Sequence, residues 1–287
     1  MSHHQVVRTR SGALALRSDI AGEVMHPGVG PLVEAERLYV RQSRLGARLR
    51  EGDAAPLILF DVGMGAGSNA AAAILESEGA PAGAARLVVV SFERDLDALE
   101  TALTRPAAFG LAGLPGQAAR TLLRTSQYET ARTSWRLERG DLLQALPRQT
   151  GSTADVVFWD PFSPRTNPEL WTITAFATLR RVASPRCTLF TYSASTAVRI
   201  ALLLGGWAVG VGDPIGDKAA TTVAAVRRGD LARPLDRRWL RRLSLPDVPL
   251  PSDAPPDVVQ RVAAAPQFGV TPSLPAPDET SRAPGSR

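Results

Sequence analysis

The stretch Leu59-Phe60-Asp61-Val62-Gly63-Met64-Gly65-Ala66-Gly67-Ser68-Asn69 decides the fold. An apolar run over residues 56–60 ends in a carboxylate, glycine then recurs at every second position, and Ala70-Ala71-Ala72-Ala73-Ile74-Leu75-Glu76 follows as a strong helix former. That order of residue types reads as strand, tight turn and helix. Two more short apolar runs, 87–92 and 156–159, have the unbroken apolar character of parallel strands covered on both faces. A fourth strand is expected at 187–192, and a late pair at 207–211 and 221–226 as an antiparallel hairpin; residues 96–104 read as helix. Strands alternating with helices predict an α/β fold: a doubly wound, mostly parallel, Rossmann-like sheet with a small N-terminal extension.

Gly63, Gly65 and Gly67 let the backbone turn sharply and a ligand approach without a Cβ in the way, although a purely structural turn accounts for the same spacing. Asp61 narrows the ligand. A dinucleotide would place a pyrophosphate at this helix start, where a strand-end carboxylate repels it, whereas S-adenosyl-L-methionine carries no phosphate and brings an ammonium and a sulfonium. Asn69, at the end of the turn, is expected to contact the cofactor with the glycines. At the next strand end, Ser91-Phe92-Glu93-Arg94 offers Glu93 to the two ribose hydroxyls of an adenosine, or pairs it with Arg94 at the surface. Arg139-Gly140-Asp141-Leu142-Leu143 places Asp141 to accept from an adenine amino group beside Leu142 and, without excluding that, to cap the following helix. Strand-end acids converge on the crevice where open α/β sheets bind ligands.

After Asp155-Val156-Val157-Phe158-Trp159 comes Asp160-Pro161-Phe162-Ser163-Pro164-Arg165-Thr166-Asn167-Pro168-Glu169-Leu170-Trp171-Thr172. An acid at a strand end, prolines that fix the backbone and an adjacent aromatic can hold a target amine against a methyl donor. The other reading is a proline-bounded loop with Phe162 and Trp171 in the core.

The longer string resembles the Asp-x-Phe-x-Pro-x-x-Asn-Pro-x-x-Trp-Thr signature of the methyltransferase domain of the MnmC family. The resemblance extends through Glu23-Val24-Met25-His26, Gly30-Pro31-Leu32-Val33-Glu34-Ala35, the glycine turn and Thr188-Leu189-Phe190-Thr191-Tyr192-Ser193, covering about residues 11–227. It implies a class I S-adenosyl-L-methionine-dependent N-methyltransferase that methylates the aminomethyl group on carbon 5 of wobble uridine 34 in tRNA. It further implies Asp160 and His26 as catalytic groups, and Met25, Pro161, Phe162, Ser163 and Lys218 beside the substrate. The chain has no room for the flavin-dependent oxidase that accompanies this domain in some bacteria, so a stand-alone form is expected. Two departures bear on the substrate: Pro27 follows Met25-His26, and the basic stretch before the last strand is reduced to Gly216-Asp217-Lys218. His26 reads as a base or as a structural histidine.

Composition bounds the rest. The 287 residues, 44% apolar, suit one catalytic domain, here 51–230, preceded by an extension over the site at 1–50 that carries a helix around 31–50. From 231 to 287 the proline and arginine content predicts a largely mobile tail with a short helix at 257–264; Arg237-Arg238-Trp239-Leu240-Arg241-Arg242 within it reads as a solvated basic face with Trp239 and Leu240 inward, or as an RNA contact. The net charge of +5 is compatible with a polyanionic partner such as tRNA without requiring one. No run approaches the roughly 20 apolar residues of a membrane span, and no apolar signal stretch opens the chain, so a cytoplasmic location without membrane association is expected. One cysteine, Cys187, excludes an internal disulfide or a thiolate cluster, and His3, His4 and His26 lack metal-ligand spacing, so no metal is expected. The sequence does not specify an oligomeric state. Three competing classes remain: an aminopropyltransferase of spermidine-synthase type, against which Asn167-Pro168-Glu169-Leu170-Trp171-Thr172 argues; a nicotinamide oxidoreductase, disfavoured by Asp61; and an RNA-binding protein without turnover, which would not need four acids in one crevice.

Overall fold

The computed structural model describes residues 3–26, 28–51, 55–149, 151 and 153–269. Eleven strands form two sheets among them. The small one is an antiparallel meander, β1 (His4–Arg8), β2 (Leu14–Ser18) and β3 (Glu23–Val24). The large one has eight strands: β4 (Leu57–Val62), β5 (Leu87–Glu93), β6 (Gln127–Glu129), β7 (Thr133–Arg139), β8 (Ala154–Trp159), β9 (Ala183–Thr191), β10 (Ala208–Gly212) and β11 (Thr221–Ala225). Their spatial order is β10-β11-β9-β8-β4-β5-β7-β6, with β4, β5, β7, β8 and β9 parallel and β6, β10 and β11 pairing antiparallel. The expected parallel core and closing hairpin are both present.

Side chains alternate across each strand, so the central strands feed two cores. Leu59, Val89, Val156 and Phe158 face the layer of α1 (Pro31–Glu34), α2 (Leu45–Glu51), α3 (Ser68–Glu78), α4 (Asp97–Ala102) and α5 (Leu114–Thr125). Phe60, Val62, Val157 and Trp159 face α6 (Leu142–Ala145), α7 (Ile173–Arg181) and α8 (Thr196–Leu204). The order of connections reverses between β4 and β8: β4 leads out through β5 and β7, and β8 leads the other way through β9. A crevice therefore opens beyond the ends of β4 and β8, where Val62 pairs with Trp159.

The single helix expected around 31–50 is instead three segments. α1 runs into a π-helical turn, Ala35–Arg41, and Arg44 at φ 54° ends the run before α2. A π turn brings residues five apart onto one face, and here Glu34 and Tyr39 both turn toward the end of β8. The three-stranded sheet lies across the crevice, joined to α4 where Asp97 Oδ2 meets His4 Nδ1 at 2.9 Å, and to the loop after β8 by Glu23.

The C-terminal segment departs from expectation. Residues 231–269 are packed rather than mobile: Leu235, Trp239, Leu243, Val258 and Val262, the last two on α9 (Val258–Ala263), join the core beneath α8, and Phe268 on α10 (Pro266–Gly269) stacks on Trp239 at 6.4 Å. Buried Gln267 acts as a strand partner for the sheet edge, accepting from Val209 N at 2.6 Å and donating to Val209 O at 2.7 Å. An edge strand left bare would template aggregation; the segment closes it. Prolines preclude long regular elements here, but the apolar anchors between them still bury. Residues 270–287 of the expected tail lie outside the described residues. Of the basic run, Trp239 is buried and Leu240 half-buried, with the arginines outward or, for Arg237, donating to Phe268 O. Cys187 is buried in the core, which pushes its thiol up to about 12. No helix among the described residues is long and apolar enough to cross a membrane.

Candidate active site

One large cavity, about 980 Å³, fills the crevice between the sheet ends and the three-stranded cover. Its walls include Gly63, Gly65, Glu93, Gly140 and Leu142, together with Met25, His26, Glu34, Asp160, Pro161, Phe162, Ser163, Tyr192 and Lys218. Eleven of the fifteen site residues expected from sequence line it.

The turn after β4 is held open by its neighbours. Glu93 Oε2 accepts from Gly65 N at 2.9 Å, and Glu93 Oε1 accepts from Arg94 N at 2.7 Å, so this acid fixes the loop while its carboxylate faces the cavity. Burial, only partly opposed by these amide donors, raises its pKa. Gly63 has φ 77°, and a Cβ there would lie 2.8 Å from the Asp160 carbonyl and the Pro161 backbone. The cofactor turn and the reacting loop thus touch through a glycine that nothing larger can replace.

Four expected contacts are corrected. Asp61 does not face the cavity: being on the same strand face as Leu59, it is fully buried beneath the turn, where Oδ2 accepts from Ser91 Oγ at 2.7 Å and Oδ1 has no hydrogen-bond partner. Burial, with the charges of Asp160 and Glu93 adding to it and the Ser91 bond opposing, pushes Asp61 up to about 7. Gly67, at φ 79°, packs under Leu99 and starts α3. Asn69 is buried and donates to Asp160 Oδ2 at 2.8 Å, so it orients the acid instead of meeting a ligand. Asp141 caps α6 through Leu143 N at 2.9 Å and pairs with Arg94 at 3.0 Å; its neighbours Gly140 and Leu142 reach the cavity.

Around Asp160 the charges are dense. His26 lies between two acids, Nδ1 at 3.3 Å from Glu34 Oε2 and Nε2 at 3.8 Å from Asp160 Oδ2, with 12% of its side chain exposed. Burial disfavours its imidazolium, but Asp160 and Glu34 outweigh it and raise the pKa to about 9. At neutral pH His26 is therefore a cation, so it does not act as a free base in the resting site. Burial raises Asp160 to about 6 against the pull of His26. Burial, with Asp160 and Glu34 nearby, also holds the Tyr39 hydroxyl well above its usual range. The Lys218 ammonium sits 4.2 Å from the Tyr192 ring centroid, and Tyr192 Oη donates to Pro161 O at 3.1 Å. The ligand atoms of His26, Glu34 and Asp160 lie within 4.8 Å of one another, as a cation site would need, but the site is empty and their mutual ion pairing accounts for the arrangement. Pro27 lies outside the described residues.

Behind the cavity, Trp171 is core and donates to Phe162 O at 2.8 Å, leaving the half-buried Phe162 ring on the wall. Glu23 accepts from Ser163 N at 3.2 Å and from Thr166 Oγ1 at 2.6 Å, stapling the cover to the reacting loop. Sequence reasoning did not assign a role to Glu34, Tyr39 or Glu23. The signal available for Glu34 was an acid inside an otherwise apolar segment, which buries only when paired.

A glycine-lined turn, an acid facing it from the next strand and an acidic Asp-Pro-Phe loop at the switch point define an S-adenosyl-L-methionine-dependent methyltransferase. The family model for S-adenosyl-L-methionine-dependent methyltransferases matches residues 116–227. The chain is 31% identical over 228 residues to the tRNA 5-methylaminomethyl-2-thiouridine biosynthesis bifunctional protein MnmC of Methylibium petroleiphilum, covering 76% of this chain and 34% of that one. To the protein of the same name from Aeromonas hydrophila it is 29% identical, over 72% of this chain and 33% of that one. The crystal structure of MNMC2 from Aquifex aeolicus superposes with a TM-score of 0.71 at 27% identity, covering 92% of this chain and 86% of that one. The chain is an S-adenosyl-L-methionine-dependent methyltransferase similar to the MnmC proteins over 72–76% of its own length, and it spans about a third of the length of the curated relatives it matches.

Proposed function

We propose that this enzyme methylates the primary amine of the aminomethyl group on wobble uridine 34 of tRNA. The observation that carries the reading is the continuity of the cavity, from the glycine turn and Glu93 to Asp160 and Phe162, with Gly63 against the Asp160 backbone as the junction. The names of the relatives, which concern tRNA 5-methylaminomethyl-2-thiouridine biosynthesis, support the choice of target. A tRNA substrate supports a cytoplasmic location.

The backbone at Gly63 and Gly65, which line the cavity without side chains, and the unshared lone pairs of Glu93 suit an adenosine and its amino-acid end. Gly63, Gly65, Glu93, Gly140 and Leu142 would hold S-adenosyl-L-methionine, which when bound supplies an electrophilic methyl group on a sulfonium. Asp61 favours that cation through its field, from beneath the turn. Asp160, oriented by Asn69, and the Pro161 carbonyl accept hydrogen bonds from the amine and direct its lone pair; Phe162 stacks on the uracil ring, Met25 and Ser163 flank it, and Lys218 faces the phosphate side. The protein contributes mainly alignment and charge placement, since alkylating a neutral amine needs no acid.

The test is transfer of labelled methyl from S-adenosyl-L-methionine to bulk tRNA from a strain lacking this activity, followed by nucleoside analysis. Label in methylaminomethyluridine, reduced roughly a hundredfold or more by Asp160→Ala, is the expected result. Cofactor binding without tRNA label would overturn the target and leave the enzyme class standing.

A further inference from the structure

We infer that Glu34 is a positioning residue for methyl transfer: through His26 it keeps an imidazolium fixed against Asp160, so that the acid meets the amine as a charge-balanced acceptor. The inference rests on the proposed amine chemistry at Asp160, but its first readout does not.

A primary alkyl amine is mostly an ammonium at neutral pH, and only its neutral form has a lone pair for attack. A buried, uncompensated carboxylate would hold the ammonium and raise its pKa, trapping the unreactive form. A carboxylate already paired with a cation accepts a hydrogen bond from the neutral amine with far less preference for the charged one. The geometry supplies that cation. His26 places Nε2 3.8 Å from Asp160 Oδ2, and Nδ1 is held at 3.3 Å by Glu34, itself only 7% exposed. The groups facing His26 come from three elements: Asp160 after β8, Glu34 on α1 and Lys218 between β10 and β11, the last opposing protonation. Asn69 and Tyr39 complete the surroundings of Asp160. Histidine held at φ 52° is a strained conformation, and the two acids beside its ring nitrogens offset the strain. In the transfer itself the N–C bond forms as the C–S bond breaks, and the proton lost beforehand leaves to solvent; Glu34 and His26 end the cycle as they began it.

Two measurements test this in Glu34→Gln. Imidazole NMR of the whole protein, which has three histidines, with His26 assigned by its loss in His26→Gln, should show His26 titrating near pH 9 in the parent and at least one pH unit lower in the variant. Methyl transfer by the variant should then stay near the parent rate at pH 6 and fall about tenfold or more as pH rises through the new His26 pKa, a limb the parent lacks over pH 6–8. Glu34→Asp, which keeps a carboxylate, should restore most of the alkaline activity. An unchanged His26 titration, or a loss of activity uniform across pH, would overturn the role. If Glu34→Gln does not fold, Glu34→Ala carries the same comparison, with the same fall in the His26 pKa expected and an unchanged titration overturning the role. Should the parent label no tRNA, the proposed target fails while the NMR result still decides whether Glu34 holds His26 charged.

Discussion

Replacing Asp61 by asparagine should make the ligand-free protein more stable at alkaline pH while weakening its grip on the cofactor. Asp61 is fully buried and raised from an ordinary 3.8 to about 7, so the folded state holds a proton that the unfolded chain has released across that interval. A raised acid contributes stability below the unfolded pKa, and that contribution disappears as pH climbs through the folded one. At 1.36 kcal/mol per pKa unit the full effect is roughly 4 kcal/mol, of which about 2–3 kcal/mol falls between pH 5 and pH 8. Asparagine is nearly isosteric and can still accept from Ser91 Oγ, but its NH2 would occupy the place of the unpartnered Oδ1, a fixed cost of about 1–3 kcal/mol. That cost does not vary with pH. The stability of the variant relative to the parent should therefore improve by about 2–3 kcal/mol from pH 5 to pH 8, or roughly 5–10 °C in Tm, measured by thermal unfolding without ligand. Titration calorimetry supplies the second half: cofactor affinity of the parent should rise across the same pH range, with proton release, because a bound cation favours the ionised acid, and the variant should lose that dependence on Asp61. A stability difference that stays flat with pH would refute the reasoning.

Gly63→Ala combines a left-handed φ of 77° with a Cβ placed 2.8 Å from the Asp160 and Pro161 backbone; it should cost about 1–3 kcal/mol of stability and displace the reacting loop, lowering kcat/KM at least tenfold in the methyl-transfer assay. Trp239→Ala removes an aromatic anchor of the C-terminal segment from beneath α8; a loss of about 3–5 kcal/mol in denaturant unfolding and faster cleavage of residues 231–269 by protease are expected.

Much of the fold was legible because its evidence is local. The runs at 56–60, 87–92 and 156–159 are apolar without interruption, and only strands covered on both faces need that; β4, β5 and β8 bear it out. The C-terminal segment was not legible, since proline content reports the absence of regular elements and says nothing of whether Trp239, Val262 and Phe268 find a surface to bury against. The break of the 31–50 helix was equally hidden, because nothing in local propensity distinguishes a π turn at Ala35–Arg41 from an α-helix.

For the site, the sequence by itself determined which loops meet: a glycine turn after one strand and Asp160 after another must converge when both strands are parallel neighbours at a reversal of order. Only the tertiary structure decided which way each side chain faces. Asp61 lies inside the hydrogen-bonded part of β4 and so points to a sheet face, while Asp160 lies one residue past β8 and is free to turn into the crevice. The pairing of His26 with Glu34 and Asp160 depends on three separate elements packing together. Charge state follows from burial and distance, which are properties of the folded chain, and so the two acids that raise the pKa of His26 to about 9 come to light only in the structure.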